Sequence, residues 1–194
     1  MQPLIVLRTR LNVRSRSNWT NQNARKDETH GHPKQGDEMH ITDILDRESV
    51  IAELSARDKK SVLEELVSVM VEHGRLRDKE KTVEILLERE RLGSTGIGDG
   101  IAIPHGKLKE IKSIICSFGR TKAGVDFQSI DEKPTHLFFL LLAPEDSASE
   151  HLQALARLSR LLKDDRMRKR LLEADSKEDI YRIITEEDAH YPSP

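Results

Sequence analysis

His105 lies in Gly100-Ile101-Ala102-Ile103-Pro104-His105-Gly106-Lys107, a few residues beyond an alternating-glycine run and a charged helix end, Arg89-Glu90-Arg91. A neutral imidazole is a good nucleophile near pH 7, because its ordinary pKa of about 6.5 leaves most of it unprotonated. Phosphoryl transfer asks the protein mainly for positioning and for donors around the phosphoryl oxygens. Arg89, the Ser94 and Thr95 hydroxyls and the amides of Gly96, Gly98 and Gly100 are candidate donors in this stretch. The chemistry they suit is capture of a phosphoryl group on His105. The plain alternative is a solvated helix end followed by an ordinary surface histidine at a turn.

In Gly96-Ile97-Gly98-Asp99-Gly100 every second residue lacks a Cβ. The spacing predicts a loop whose N–H groups turn toward one point and form an anion-binding concavity. Ile101-Ala102-Ile103 reads as a short buried strand that Pro104 ends, leaving His105 at the strand's end. Two nucleotide motifs are excluded. The dinucleotide fingerprint follows a strand and opens a helix, whereas this run follows a helix and precedes a strand. A P-loop needs Ser or Thr after its Gly-Lys, and here Leu108 follows Gly106-Lys107.

The elements that position these residues follow from apolar spacing. Thr82 to Arg91 carries Val83, Leu86 and Leu87 on one face, and Gly93 stops that helix, which begins near Asp78. Asp58 caps an earlier helix from Lys59 to about His73, with Val62, Leu63, Leu66, Val69 and Met70 as its stripe and Gly74 at its end. His73, in its last turn, is given a structural role. Ile41 to Leu45 is expected as a short turn of helix. Ile111 to Arg120 reads as a strand, and Gly124 to Ile130 as a loop with Val125 and Phe127 inward. His136 to Pro144 is the most apolar run, too short for a bilayer and therefore a central strand covered on both faces, with His136 structural. The strand then turns into a helix, with Ser147 or Ser149 as N-cap. His151 sits at that helix N-terminus, where the dipole disfavours an imidazolium. The helix runs to about Lys163 with Leu152, Leu155, Ala156, Leu158, Ser159 and Leu162 inward, and two more helical stretches, Asp165 to Ala174 and Lys177 to Thr185, complete the domain.

Composition sets the outer limits. The 194 residues include 36% hydrophobic side chains, enough for one core, and a nearly balanced charge of −2 that gives no global basic field for nucleic acid. The single cysteine, Cys116, cannot form an intrachain disulfide, fits a reducing cytoplasm and reads as a packing residue. Residues 1–38 are arginine-rich and poor in large apolar side chains, and are expected to be a disordered extension or the product of a misassigned start ahead of Met39. Their Leu4 to Leu7 run is too short for a secretory signal, whereas a transit peptide is compatible with their composition. His30, His32 and His40 lack the ligand spacing of a metal site. The tail, residues 188–194, is expected to fray. The whole reads as α/β, with a central sheet and helices on both faces.

The segment Leu86-Leu87-Glu88-Arg89-Glu90-Arg91-Leu92-Gly93-Ser94-Thr95-Gly96-Ile97-Gly98-Asp99-Gly100-Ile101-Ala102-Ile103-Pro104-His105-Gly106-Lys107 resembles the active-site signature of the fructose/mannitol-class enzyme IIA domains of the sugar phosphotransferase system, and within them most nearly the nitrogen-regulatory enzyme IIA. The resemblance runs from about Ile41 to Thr185. It implies a mixed sheet, a single domain over 39–187, a tele-phosphohistidine at His105, a phosphate-holding Arg89, and a second site histidine at His151. It also implies an HPr-like phosphocarrier as donor, a cytoplasmic location, and no need for metal or nucleotide cofactor. No membrane segment is expected, so regulatory target proteins are the implied partners. The alternatives are a sugar relay to a separate permease subunit, or a binding module that is never phosphorylated.

Overall fold

Apolar residues on successive positions of Thr135–Pro144 can be buried only if both sides of that strand are covered. The computed structural model, which describes residues 39–190, shows how. After a 3-10 turn (Ile41–Asp43) come β1 (Leu45–Ile51), α1 (Lys59–Glu72), α2 (Lys79–Arg91), β2 (Gly96–Gly98), β3 (Ile101–Ala102), β4 (His105–Leu108), β5 (Ile115–Val125), β6 (Thr135–Pro144), α3 (Ala148–Leu162), α4 (Asp165–Glu173) and α5 (Lys177–Asp188). The sheet order is β1-β5-β6-β3-β2, with β4 also on β6. β1 runs parallel to β5, and β3 and β4 run parallel to β6, while β5–β6 and β2–β3 are antiparallel. This is the expected mixed α/β sheet.

Strand alternation divides β6 between two cores. Leu137, Phe139, Leu141 and Ala143 pack with the apolar residues of α3, α4 and α5, whereas Phe138, Leu140 and Leu142 pack with those of α1 and α2. Phe118 against Phe139 and Phe127 against Phe138 add an edge-to-face pair on each side, with centroids 4.7 and 5.3 Å apart. Asp58 and Asp78 cap α1 and α2 by accepting from the N–H groups of Ser61 and Lys81. Cys116 is buried in the sheet, and burial pushes its thiol well above the ordinary range, which fits a packing role.

Several elements differ from the sequence reading. β1 was not expected, because Asp46-Arg47-Glu48 interrupts its apolar residues; at the sheet edge these three face outward or only partly inward. Leu45 accordingly begins a strand rather than ending a helical turn. Pro104 does not end the sheet at His105, because β4 starts there and Leu141 N–H bonds the Pro104 carbonyl across the break. In α1 the buried valines are Val62 and Val67, and Val69 is only partly covered. β5 continues past Arg120 to Val125.

The inward face of α3 is His151, Ala154, Arg157, Leu158, Leu161 and Leu162. Leu152, Ala156 and Ser159 are exposed, contrary to expectation. The stripe is rotated because two polar side chains, His151 and Arg157, occupy it. Arg157 Nε donates to Asp188 Oδ1 at 2.5 Å, and Asp188 Oδ2 accepts Ile41 N–H at 2.8 Å. That buried pair explains why α5 continues through Asp188 instead of fraying there. The expectations for residues 1–38 and 191–194 lie outside the described residues.

Candidate functional site

β4 pairs with the C-terminal half of β6, His105 opposite Leu141, so the imidazole sits where β6 runs out and α3 begins. Gly106 and Leu108 face α2 and its core, and a Cβ on Gly106 would lie 3.4 Å from Leu86. Alternation therefore sends His105 and Lys107 to the other side of the strand. There the His105 and His151 rings meet edge to face, with centroids 5.5 Å apart and planes at 66°.

His105 Nδ1 lies 2.8 Å from the Ile103 carbonyl. A carbonyl only accepts, so Nδ1 carries the proton and Nε2 the lone pair. Burial holds this imidazole below the ordinary histidine pKa; the Ile103 bond opposes that, Arg89 reinforces it and Glu90 opposes it. His151 is 8% exposed and its Nε2 has no hydrogen-bond partner. Burial, then the neighbouring His105 and Lys107, lower its pKa as well. Two neutral imidazoles, one with a free lone pair and one with an unpartnered buried nitrogen, thus share one corner of the sheet.

Arg89, in the last turn of α2, is half-buried, and its Nη1 donates to the Gly93 carbonyl at 3.0 Å. The expected hydroxyl donors are committed elsewhere. Ser94 Oγ donates to the Phe127 carbonyl at 3.0 Å and accepts Gly96 N–H, and the Thr95 hydroxyl donates to the Glu90 carboxylate.

The glycine run is likewise not an open anion loop. Asp99 (φ 51°) and Gly100 (φ 76°) make the two-residue turn of a β2–β3 hairpin. Gly96 lies so close to Ser129 that a Cβ would fall 2.3 Å from its Oγ. Gly98 lies against Asp131, and the Gly100 carbonyl accepts N–H groups from His136 and Leu137. The alternation that suggested a phosphate cradle serves close packing of β2 on the segment leading into β6.

The sequence reading missed Glu90. It is buried at the end of α2, accepting from Thr95 N–H at 3.1 Å and from Lys59 Nζ at 2.9 Å. A signal was present: an acid in the last turn of a helix opposes the dipole and needs a specific partner.

Comparison with known proteins identifies the family. Residues 43–187 match the family described as phosphoenolpyruvate-dependent sugar phosphotransferase system, EIIA 2. A nitrogen regulatory protein of Bradyrhizobium diazoefficiens is 40% identical over 75% of this chain and 95% of its own length. The fructose-specific EIIABC component of Bacillus subtilis is 42% identical over 77% of this chain, which spans only 24% of that longer protein. The crystal structure of nitrogen regulatory protein IIA-Ntr from Neisseria meningitidis superposes with a TM-score of 0.70 at 34% identity, covering 75% of this chain and 99% of that one. The histidine corner therefore lies in a chain that belongs to the type-2 EIIA family of the phosphoenolpyruvate-dependent sugar phosphotransferase system.

Proposed function

We propose that the chain is a histidyl phosphocarrier in which His105 Nε2 accepts a phosphoryl group from the phosphohistidine of an HPr-like protein. The observation that carries this reading is the Nδ1 bond to Ile103, which leaves Nε2 as the only ring nucleophile. In the transfer an N–P bond forms at His105 Nε2 as the donor's P–N bond breaks. Nδ1 keeps its proton, and the Ile103 carbonyl stabilises the positive charge that grows on the ring. The phosphoryl group is loose and anionic in passage, so the protein's task is positioning and charge stabilisation. His151, held neutral, offers its Nε2–H to one phosphoryl oxygen, and Arg89 reaches the others. Ser94, Thr95 and Gly96 carry the chain from α2 toward β2 with their side-chain and close-packing contacts made within the protein, while Gly98 and Gly100 pack against Asp131 and His136.

Docking of a protein donor is supported by four exposed apolar side chains. Leu92 follows the helix that carries Arg89, Leu152 adjoins His151, and Ile97 and Ile130 belong to β2 and the segment beside it. The phospho-form adds negative charge at His105, which is sufficient to change which partners dock. The reading places the chain in the cytoplasm with its phosphoenolpyruvate-fed carriers and regulatory target proteins, with neither nucleic acid nor membrane insertion. No helix among the described residues is long and apolar enough to cross a membrane.

A regulatory output is supported by the relatives named nitrogen regulatory protein, of which this chain covers nearly the full length. The second reading, relay to a fructose or mannitol permease subunit, is supported by a fructose-specific EIIA component of Haloferax volcanii, 36% identical and 98% covered. Incubation of the purified chain with phosphoenolpyruvate, enzyme I and an HPr-type carrier, followed by intact-mass analysis, tests the shared step. One acid-labile phosphoryl group, absent in His105→Ala, is expected; none, with a donor system active on another enzyme IIA, leaves a binding module. Offering the phospho-form to a fructose-type IIB acceptor then separates relay from switch.

A further inference from the structure

Glu90 is a charged side chain taken almost wholly out of water, beside a site that by the reading above must receive a phosphoryl dianion. A carboxylate there repels the incoming group, and a buried ion pair seldom stabilises a fold more than apolar residues of equal volume. What the carboxylate holds in place accounts for its burial.

The carboxylate grips Thr95 through the backbone N–H, 3.1 Å from Oε1, and through the hydroxyl. Thr95 in turn accepts Ile103 N–H on its carbonyl at 3.0 Å. Ile103 accepts His105 Nδ1–H on its own carbonyl at 2.8 Å. A continuous path of hydrogen bonds thus runs from Glu90 to the proton that decides which imidazole nitrogen is nucleophilic. Arg89, the preceding residue, bonds the Gly93 carbonyl at the other end of the same turn. The two neighbours clamp residues 93–95 from both sides.

Lys59 completes the arrangement. From the first turn of α1 its Nζ reaches Glu90 Oε2 at 2.9 Å and Gln128 Oε1 at 3.0 Å, and lies 4.8 Å from the centre of the Phe127 ring. It supplies the counter-charge that lets a carboxylate remain buried near an anionic reaction.

We propose that Glu90, neutralised by Lys59, is a positioning residue for the phosphoryl site: through Thr95 and Ile103 it fixes the Nδ1–H tautomer of His105, and through the 93–95 turn it aims Arg89. The role rests on the phosphocarrier reading for its purpose, but its structural half is measurable without any donor.

The test is the nitrogen-15 NMR spectrum of the His105 ring in the parent, Glu90→Ala, Glu90→Gln and Thr95→Val, beside transfer rates from the HPr-type donor and melting temperatures. In Glu90→Ala the Nδ1–H population falls and transfer slows by about tenfold or more, as small misplacements of a reacting group do. Glu90→Gln keeps an oxygen for Thr95 and retains the parent tautomer. Thr95→Val, which deletes only the hydroxyl, moves in the same direction as Glu90→Ala and decides the matter if that variant does not fold. A folded Glu90→Ala or Thr95→Val with the parent tautomer overturns the proposal, even if its melting temperature drops, since that is the mark of a purely structural pair. A parent that takes no phosphoryl group refutes the phosphocarrier reading instead, and the tautomer measurement still judges Glu90.

Discussion

His105 and His151 meet edge to face with ring centroids 5.5 Å apart, and burial keeps both imidazoles below the ordinary histidine pKa. An unfolded histidine takes up its proton near about 6.5, and these two take theirs only at lower pH. Between those values the unfolded chain binds more protons than the native one, so stability rises with pH across that window and these groups contribute no slope above it. Denaturant unfolding at a series of pH values checks this: the parent should lose more stability on acidification from pH 7 than His105→Gln does. For the same reason phosphoryl acceptance should remain level as pH falls through 6.5, and decline only below it.

Arg89 ends α2 within electrostatic reach of His105. Arg89→Ala should slow phosphoryl transfer by about 10²-fold, the usual cost of deleting a charge-stabilising donor. Arg89→Lys should fall between that and the parent, because an ammonium lacks the two-pronged contact. Single-turnover transfer rates decide it, and a parent-like rate for Arg89→Lys removes Arg89 from the site.

The buried, unpartnered Nε2 of His151 costs stability in the resting protein. His151→Phe, which keeps an aromatic ring in place and removes the orphan nitrogen, should raise stability by about 1 kcal/mol while slowing transfer. Thermal melts and transfer rates on one preparation test both halves. A destabilised variant with parent transfer contradicts the assignment.

Leu92, Ile130 and Leu152 are exposed and cover no core. Changing each to Ser should alter folding stability by no more than about 0.5 kcal/mol yet raise the KM for the HPr-type donor with little change in kcat. Unaltered KM in all three places donor docking elsewhere.

The central run His136–Pro144 was legible because continuous apolar character over that length has few uses besides a doubly covered strand. The same rule hid β1, whose edge position lets Asp46, Arg47 and Glu48 stay partly solvated. His105 and His151 were legible through the signature and through the helix start after β6, but their approach is tertiary, set by β4 pairing with β6. Glycine alternation had two physical meanings, amide exposure and close packing. Only Ser129 and His136, more than thirty residues on in sequence, reveal that the second applies. Glu90 stayed hidden among the charges of Arg89-Glu90-Arg91, because its partners Lys59 and Thr95 come from outside its own helix.

The most direct test of the central claim is phosphorus–nitrogen NMR of the nitrogen-15 histidine-labelled protein after phosphorylation by the carrier system. One phosphoryl group bonded to Nε2 of His105, with Nδ1 still protonated, is the expected result. A phosphoryl group on Nδ1 of His105, or on His151, would contradict it.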